Sequence, residues 1–398
     1  MTSRGDRCYN LSMNDLYLRY KSIAVFGKTA AELAPLAELT VCADTARRVE
    51  LAARVFRDVA ECGCDSTGEW IKSLVLSDDN VFSRAAARGE RISDRLKAQV
   101  KSELLTFKQL SLVKPDDVMS DSVAEFLPKF GFGGFSVGYD KLVTFYAVNG
   151  CGRIAGGNAF ILRDGALTAA ECENVRLSDI KDYAEEKAEI VKNTENFIAG
   201  LPAFHTLLYG DRGTGKSTTV RAIANEYRDR LKVIEIGRGD IDKLPNVRAE
   251  LNGLKQKFIL FIDDLAFDEN DGAADELKTA LEGSLDAPAV NTLLYCTSNR
   301  RHLFKETDKT EYRRRGDEIQ AELALFDRFG LVVTFVNPDK EGFVNILKQI
   351  LRSRGIKWRD EYAAIAELAA IKKGGRTPRA AKQIADLIES TYAEKRGE

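Results

Sequence analysis

Apolar positions recur at helical spacing through residues 30–62 and 91–113. From Leu177 onward they gather instead into short unbroken runs separated by amphipathic stretches. In the first region Leu33, Leu36 and Leu39, then Val49, Leu51, Val55, Phe56 and Val59, fall on roughly one helical face, which predicts an α-rich region over residues 1–173. Near its end, Phe130–Gly138 packs four glycines and three aromatics into one short segment. Glycine at that density can cradle phosphate, but no lysine follows at the spacing a phosphate loop needs, so the segment reads as a turn-rich connector. Leu142–Val148 and Ala159–Leu162 read as strands, with turn signals at Asn149-Gly150 and Asp164-Gly165.

Beyond Leu177, five apolar runs have strand character: Thr206–Tyr209, Lys232–Ile236, Phe258–Ile262, Thr292–Cys296 and Leu331–Phe335. Helical stretches separate them. Strands alternating with helices predict an α/β fold with a doubly wound parallel sheet over residues 174–337. After Asn337-Pro338 the pattern is helical throughout, in Glu341–Arg354, Asp360–Ile371 and Thr377–Ala393, which predicts a small helical lid over residues 338–398.

Composition narrows the class. The chain carries 59 Lys+Arg against 61 Asp+Glu, a formal charge of −2, so the whole-chain balance points to neither a nucleic acid nor an anionic membrane. The 7 cysteines are odd in number and scattered, which suits reduced thiols in a cytoplasmic protein rather than a disulfide scaffold. Charges run through Met1–Tyr20 with no apolar leader segment, and no membrane association is expected.

The chemistry concentrates after the first strand of the α/β region. Gly210-Asp211-Arg212-Gly213-Thr214-Gly215-Lys216-Ser217 completes the G-x-x-x-x-G-K-[ST] phosphate loop, with an apolar run before it and a helical pattern starting at Thr218. Glycines there admit positive φ, and backbone amides at a helix start can close around phosphate oxygens. Lys216 would neutralise the β- and γ-phosphates of a nucleoside triphosphate, and Ser217 would hold Mg²⁺. The run Phe258–Ile262 ends in Asp263-Asp264, placing Asp263 to coordinate Mg²⁺ and Asp264 to orient and polarise the attacking water. The next strand ends Thr297-Ser298-Asn299, which makes Asn299 a candidate to orient that water. Asp327-Arg328-Phe329-Gly330 precedes the last strand; an arginine there suits a finger that reaches the nucleotide of an adjacent subunit. The run Arg313-Arg314-Arg315 offers alternative fingers.

These motifs, in this order, resemble the AAA+ ATPases over about residues 177–393. The resemblance implies ATP and Mg²⁺ as ligands, Ile180 in a segment that packs against adenine, and Arg379, in Gly375-Arg376-Thr377-Pro378-Arg379, as a lid arginine that senses nucleotide. Asn193–Gly200, Thr297–Leu303 and Asp327–Gly330 resemble, more narrowly, the bacterial AAA+ family catalogued as domain of unknown function 815. The usual acid pair of that architecture is Asp-Glu, whereas this chain has Asp263-Asp264, one methylene shorter at the position expected to act as base.

The expected activity is therefore ATP hydrolysis by a homo-oligomeric ring or filament that remodels a macromolecular partner, protein rather than DNA. Two other readings stay open. The Gly-Thr-Pro-Arg likeness to branch-migration motors and the basic tail allow a nucleic-acid loader or motor, although no nucleic-acid recognition motif accompanies them. Asp264 in place of glutamate allows a nucleotide-gated scaffold with little hydrolysis. Residues 1–173 carry no chemical motif.

Overall fold

The computed structural model describes residues 12–114, 127, 131, 133–266, 272–282, 290–299, 325–372 and 375–394. Arg313, Arg314 and Arg315, the Arg300–Leu303 end of the strand motif, and Phe130 and Phe132 of the connector lie outside the described residues. The chain divides into two compact units, Met1–Gly156 and Gly157–Glu398.

The described part of the first unit is helical, as its periodicity predicts. Its longest helices, Thr45–Glu61 and Asp94–Leu110, bury one face each, and both start at a residue whose side chain accepts a backbone amide, Asp44 and Ser93. The core is aromatic: Phe26 meets Phe82 and Phe107 at centroid distances of 6.2 and 5.6 Å, and Phe82 meets Tyr146 at 5.9 Å. Buried Glu103 is satisfied by the backbone amides of Ala24, Val25 and Phe26 and by the Gln99 amide.

Leu142–Val148, expected as a strand, is instead the body of a helix, Tyr139–Asn149. β-branched and aromatic content suggested a strand, but the glycines at its ends decide the local structure. Gly138 is the N-cap, Gly150 ends the helix at φ 83°, and the buried residues Leu142 and Tyr146 are one helical turn apart. Gly131 and Gly133 of the connector serve close packing. A Cβ on Gly68 would lie 1.8 Å from the Gly133 carbonyl oxygen, so helix Thr67–Leu76 and the connector touch backbone to backbone.

The second unit is built on a sheet of seven strands: β1 (Ala159–Arg163), β2 (Ala166–Ala169), β3 (Thr206–Gly210), β4 (Leu231–Glu235), β5 (Lys257–Ile262), β6 (Thr292–Ser298) and β7 (Leu331–Phe335). The order is β2-β1-β4-β5-β6-β3-β7, and every pair is parallel except β1 with β2. The five runs expected as strands are β3 to β7. Segment 159–169 supplies the outer hairpin of the sheet and lies in the compact unit Gly157–Glu398. Asp164 and Gly165, at φ 50° and 75°, form its two-residue turn.

Helices Ala184–Ile198 and Lys216–Glu226 pack Ile190, Phe197, Val220 and Ile223 against Leu208, Ile259, Phe261 and Tyr295 of the sheet. The C-terminal helices Lys340–Ser353, Glu361–Lys372 and Pro378–Glu394 bury a separate cluster around Phe343, Leu347, Leu351, Ala366 and Ile384. Among the described residues, no helix is long and apolar enough to cross a membrane.

Candidate nucleotide site

Strand order brings the candidate residues together. β6 lies between β3 and β5, all three parallel, so the phosphate loop after β3, the Thr297–Asn299 strand end and the Asp263-Asp264 strand end share one edge of the sheet. In open α/β sheets ligands bind outside the carboxyl ends of the strands.

The loop conformation depends on its glycines. Gly210, Gly213 and Gly215 have φ of 128°, 81° and 98°, and a Cβ on Gly210 would lie 2.1 Å from the Phe335 carbonyl oxygen. Thr214 is buried and ties the loop internally by donating to the Asp211 carbonyl at 2.8 Å, whereas Arg212 is exposed. Asp211 accepts the Asn337 amide at 2.9 Å, which joins the loop to the chain leaving β7. Gly215 is the N-cap of helix Lys216–Glu226, whose first turn holds Lys216, Ser217 and Thr218.

Lys216 is buried, and among the described residues its amine donates to the Gly210 and Asp211 carbonyls at 3.0 and 2.7 Å. Burial pushes its pKa down to about 8, against the opposing pull of Asp211, Asp264 and Asp263. A buried ammonium bonded to carbonyls is short of counter-charge, and a phosphate oxygen would supply it.

The metal-type donors converge on Asp263. Its Oδ1 accepts Ser217 Oγ at 2.5 Å and Thr297 Oγ1 at 2.6 Å, and its Oδ2 faces the Arg221 guanidinium at 3.4 Å. A half-buried carboxylate beside a serine hydroxyl is the hard-oxygen donor set that Mg²⁺ takes, so the residues present fit Mg²⁺ with a triphosphate. Asp264 is exposed at φ 53°; its amide donates to Thr297 Oγ1 at 2.9 Å and its Oδ1 accepts Asn299 Nδ2 at 2.7 Å. Thr297 and Arg221 were not singled out from the sequence. Thr297 stands one residue short of the Ser-Asn end, and only the β5–β6 register reveals its place. Arg221 falls on the face of a helix that turns toward Asp263, a placement that follows from the fifth position after the phosphate-loop lysine.

The other candidates divide. Arg379 is beside the loop: its amide donates to the Gly213 carbonyl at 3.2 Å, and a Cβ on Gly213 would lie 3.5 Å from the Arg379 Cβ. Ile180 is half-buried, and its carbonyl accepts Lys187 Nζ at 2.6 Å; nearby Tyr183 packs against Phe335 at a ring-centre distance of 5.0 Å, tilted by 47°, and donates to the Val336 carbonyl. Arg328 precedes Leu331, which pairs with Thr206 at the start of β3, so its backbone enters the sheet at the edge opposite Gly210. About four strand residues, roughly 13 Å, separate the two edges.

Residues 158–392 match the family described as "Protein of unknown function (DUF815)". The replication factor C large subunit of Staphylothermus marinus is 24% identical over 208 residues, covering 50% of this chain and 43% of that protein. The Holliday junction branch migration complex subunit RuvB of Wolbachia pipientis is 26% identical over 235 residues, 54% of this chain and 66% of its own length. The proteasome-activating nucleotidase of Methanococcus maripaludis is 27% identical over 213 residues, 49% of this chain and 48% of that protein. The solved RuvB Holliday junction branch migration motor of Thermotoga maritima covers 56% of this chain and 66% of its own, at 19% identity and a TM-score of 0.39. The chain thus spans under half of the replication factor C subunit that it matches. The family match covers more than half of this chain, which belongs to that family, described as "Protein of unknown function (DUF815)", of AAA+ P-loop proteins.

Proposed function

We propose that the protein is a Mg²⁺-dependent ATP hydrolase that works in an assembly of its own copies and remodels a macromolecular partner, protein rather than DNA. One observation carries the nucleotide part: the hydrogen-bonded set Ser217, Asp263, Thr297, Asp264 and Asn299 at the mouth of a phosphate loop whose lysine is buried beside carbonyl groups. Lys216 and the loop amides bind the β- and γ-phosphates. Mg²⁺, held by Ser217 and Asp263, would offset the charge on the phosphates. Asp264 takes a proton from the attacking water, and Asn299 orients the carboxylate that does so. Arg379 supports the reading of a lid that follows the state of the nucleotide, because the lid backbone already touches the loop at Gly213.

Assembly is inferred from Arg328. Its backbone enters the sheet away from the phosphate loop, a position that favours action on the nucleotide of a neighbouring copy. A mixing assay tests this: a Lys216→Ala protein, which keeps Arg328, is added to an Arg328→Ala protein, which keeps the loop. Each is expected to be nearly inactive alone, since an arginine finger is worth roughly 10³–10⁵ in rate. Phosphate release recovered on mixing supports action across an interface. Full activity of Arg328→Ala alone, or specific activity constant on dilution to monomer, refutes it. The relatives named for branch migration and as replication factor C favour a second reading, a DNA motor; stimulation of phosphate release by duplex or single-stranded DNA would select it.

A further inference from the structure

The first unit holds a basic, apolar-floored groove that the nucleotide site does not use. It lies between helix Asp94–Leu110 and the start of helix Tyr139–Asn149, with a volume of about 470 Å³. Leu104, Leu105 and Val137 line it together with buried Phe135. Leu105 is 46% exposed although it sits between two cations, an apolar side chain left open to solvent.

Lys101 and Lys108 flank that floor, two turns apart on one helix, and Lys97 and Lys101 both hold their amines 5.3 to 5.5 Å from the Tyr139 ring centre. Among the described residues, none of these three lysines lies within ion-pair distance of a carboxylate. Helix Tyr139–Asn149 starts at the groove with Gly138 as its N-cap and no side chain satisfying its first amides, which adds partial positive charge. Among the described residues, Asp140 is the one acidic residue of the lining.

We propose that this groove docks an extended acidic segment of a partner protein, with acids four residues apart and an apolar side chain midway between them on the same face. The spacing fits that pattern. Lys101 and Lys108 are about 10 Å apart along the helix axis at ~1.5 Å per residue, and acids four residues apart on one face of an extended peptide are about 13 Å apart, a difference the long lysine side chains span. The apolar side chain between the acids would cover Leu104 and Leu105 while the acids meet the lysines, a division of labour usual in peptide grooves. A nucleic-acid backbone would match the charge but not the floor. Phe135 is 2% exposed, and half-buried Tyr139 has Phe82 at 5.5 Å and the Lys97 and Lys101 amines at 5.3 and 5.5 Å from its ring centre, so neither ring offers a free face for base stacking. The proposal does not depend on nucleotide hydrolysis.

The test uses the full chain and fluorescence anisotropy with a fluorescein-labelled peptide carrying two Glu-Leu-Phe-Asp repeats. Its controls are the Lys-Leu-Phe-Lys counterpart and a twenty-nucleotide thymidine strand. Saturable binding of the acidic peptide is expected, weakened at least tenfold by the Lys101→Glu, Lys108→Glu double variant and, separately, by Leu105→Asp. The Lys101→Arg, Lys108→Arg variant should retain it. ATP binding, measured in parallel, should be unchanged in all variants, which separates this outcome from failure of the nucleotide site. Absence of saturable binding, equal binding of the basic peptide, or full affinity in both charge-reversed and Leu105→Asp proteins overturns the proposal. Tighter binding of the oligonucleotide through the same lysines, or self-association lost in the charge-reversed protein, assigns the groove to another occupant and overturns it as well.

Discussion

The buried amine of Lys216 makes nucleotide affinity and protein stability respond to pH with opposite signs. In the free protein burial pushes this lysine from its ordinary 10.5 down to about 8. Phosphate oxygens beside the amine would restore a high pKa, so binding above pH 8 must take up a proton. If the charged form alone binds tightly, the dissociation constant for Mg²⁺-ATP rises by a factor of about 1.1 at pH 7 and about 11 at pH 9, a roughly tenfold loss across the interval. ATP itself has completed its phosphate ionisations by pH 8, so the nucleotide adds no slope there. Folding behaves the other way. Between about 8 and 10.5 the unfolded chain binds more protons than the folded one, so stability rises with pH through that window. Lys232, pushed down to about 8 by burial beside the Gly157 carbonyl, contributes to the stability trend but not to the affinity trend. Titration calorimetry at pH 7, 8 and 9, in two buffers of different ionisation enthalpy, measures affinity and proton uptake together. Near-zero uptake at pH 7 and close to one proton at pH 9 are expected, with the pH dependence abolished in Lys216→Ala. A flat affinity from pH 7 to 9 in the parent protein would refute the assignment of a depressed, phosphate-facing amine.

Two further outcomes follow from the site. Asp264→Asn keeps a side chain that tolerates φ 53° and should leave ATP affinity within about twofold, while single-turnover hydrolysis falls on the order of 10²–10⁴ if Asp264 is the base; unchanged turnover removes it from that role. Gly210→Ala drives a Cβ to 2.1 Å from the Phe335 carbonyl oxygen at φ 128° and should cost about 3 kcal/mol in denaturant unfolding, whereas Gly134→Ala, whose Cβ meets nothing within 4 Å, should be near neutral.

What was legible in the sequence is what local rules decide. The phosphate loop is a contiguous run, and each of β3 to β7 is an uninterrupted apolar stretch bounded by polar residues, so their existence needed no tertiary information. Where tertiary context or end-capping dominates, the reading diverged. Leu142–Val148 has strand composition, but Gly138 and Gly150 set helix ends around it, and burial at helical spacing does the rest. Segment 159–169 is a hairpin in isolation; pairing of Phe160 with Ile234 of β4 makes it part of the second unit. The full strand order needs the pairing itself: β6 follows β5 in the chain and inserts between β5 and β3.

That insertion bears directly on the one departure from the expected acid pair. With β6 between the two motifs, Thr297 reaches both the carboxylate of Asp263 and the amide of Asp264, and this clamp holds the backbone of residue 264 in the left-handed region. Asp and Asn adopt that region more readily than longer side chains, so the conformation favours aspartate over glutamate at this position. Shortening by one methylene is then coupled to a change in backbone direction, and the reach of the carboxylate cannot be judged from side-chain length alone. Asn299, donating to Asp264 Oδ1 at 2.7 Å from the end of β6, fixes where that carboxylate points. The clamp gives a discriminating variant: Asp264→Glu should lose the Asn299 contact and lower stability, and a hydrolysis rate at or above the parent's would show that side-chain reach at residue 264, rather than the backbone set by Thr297, limits the rate.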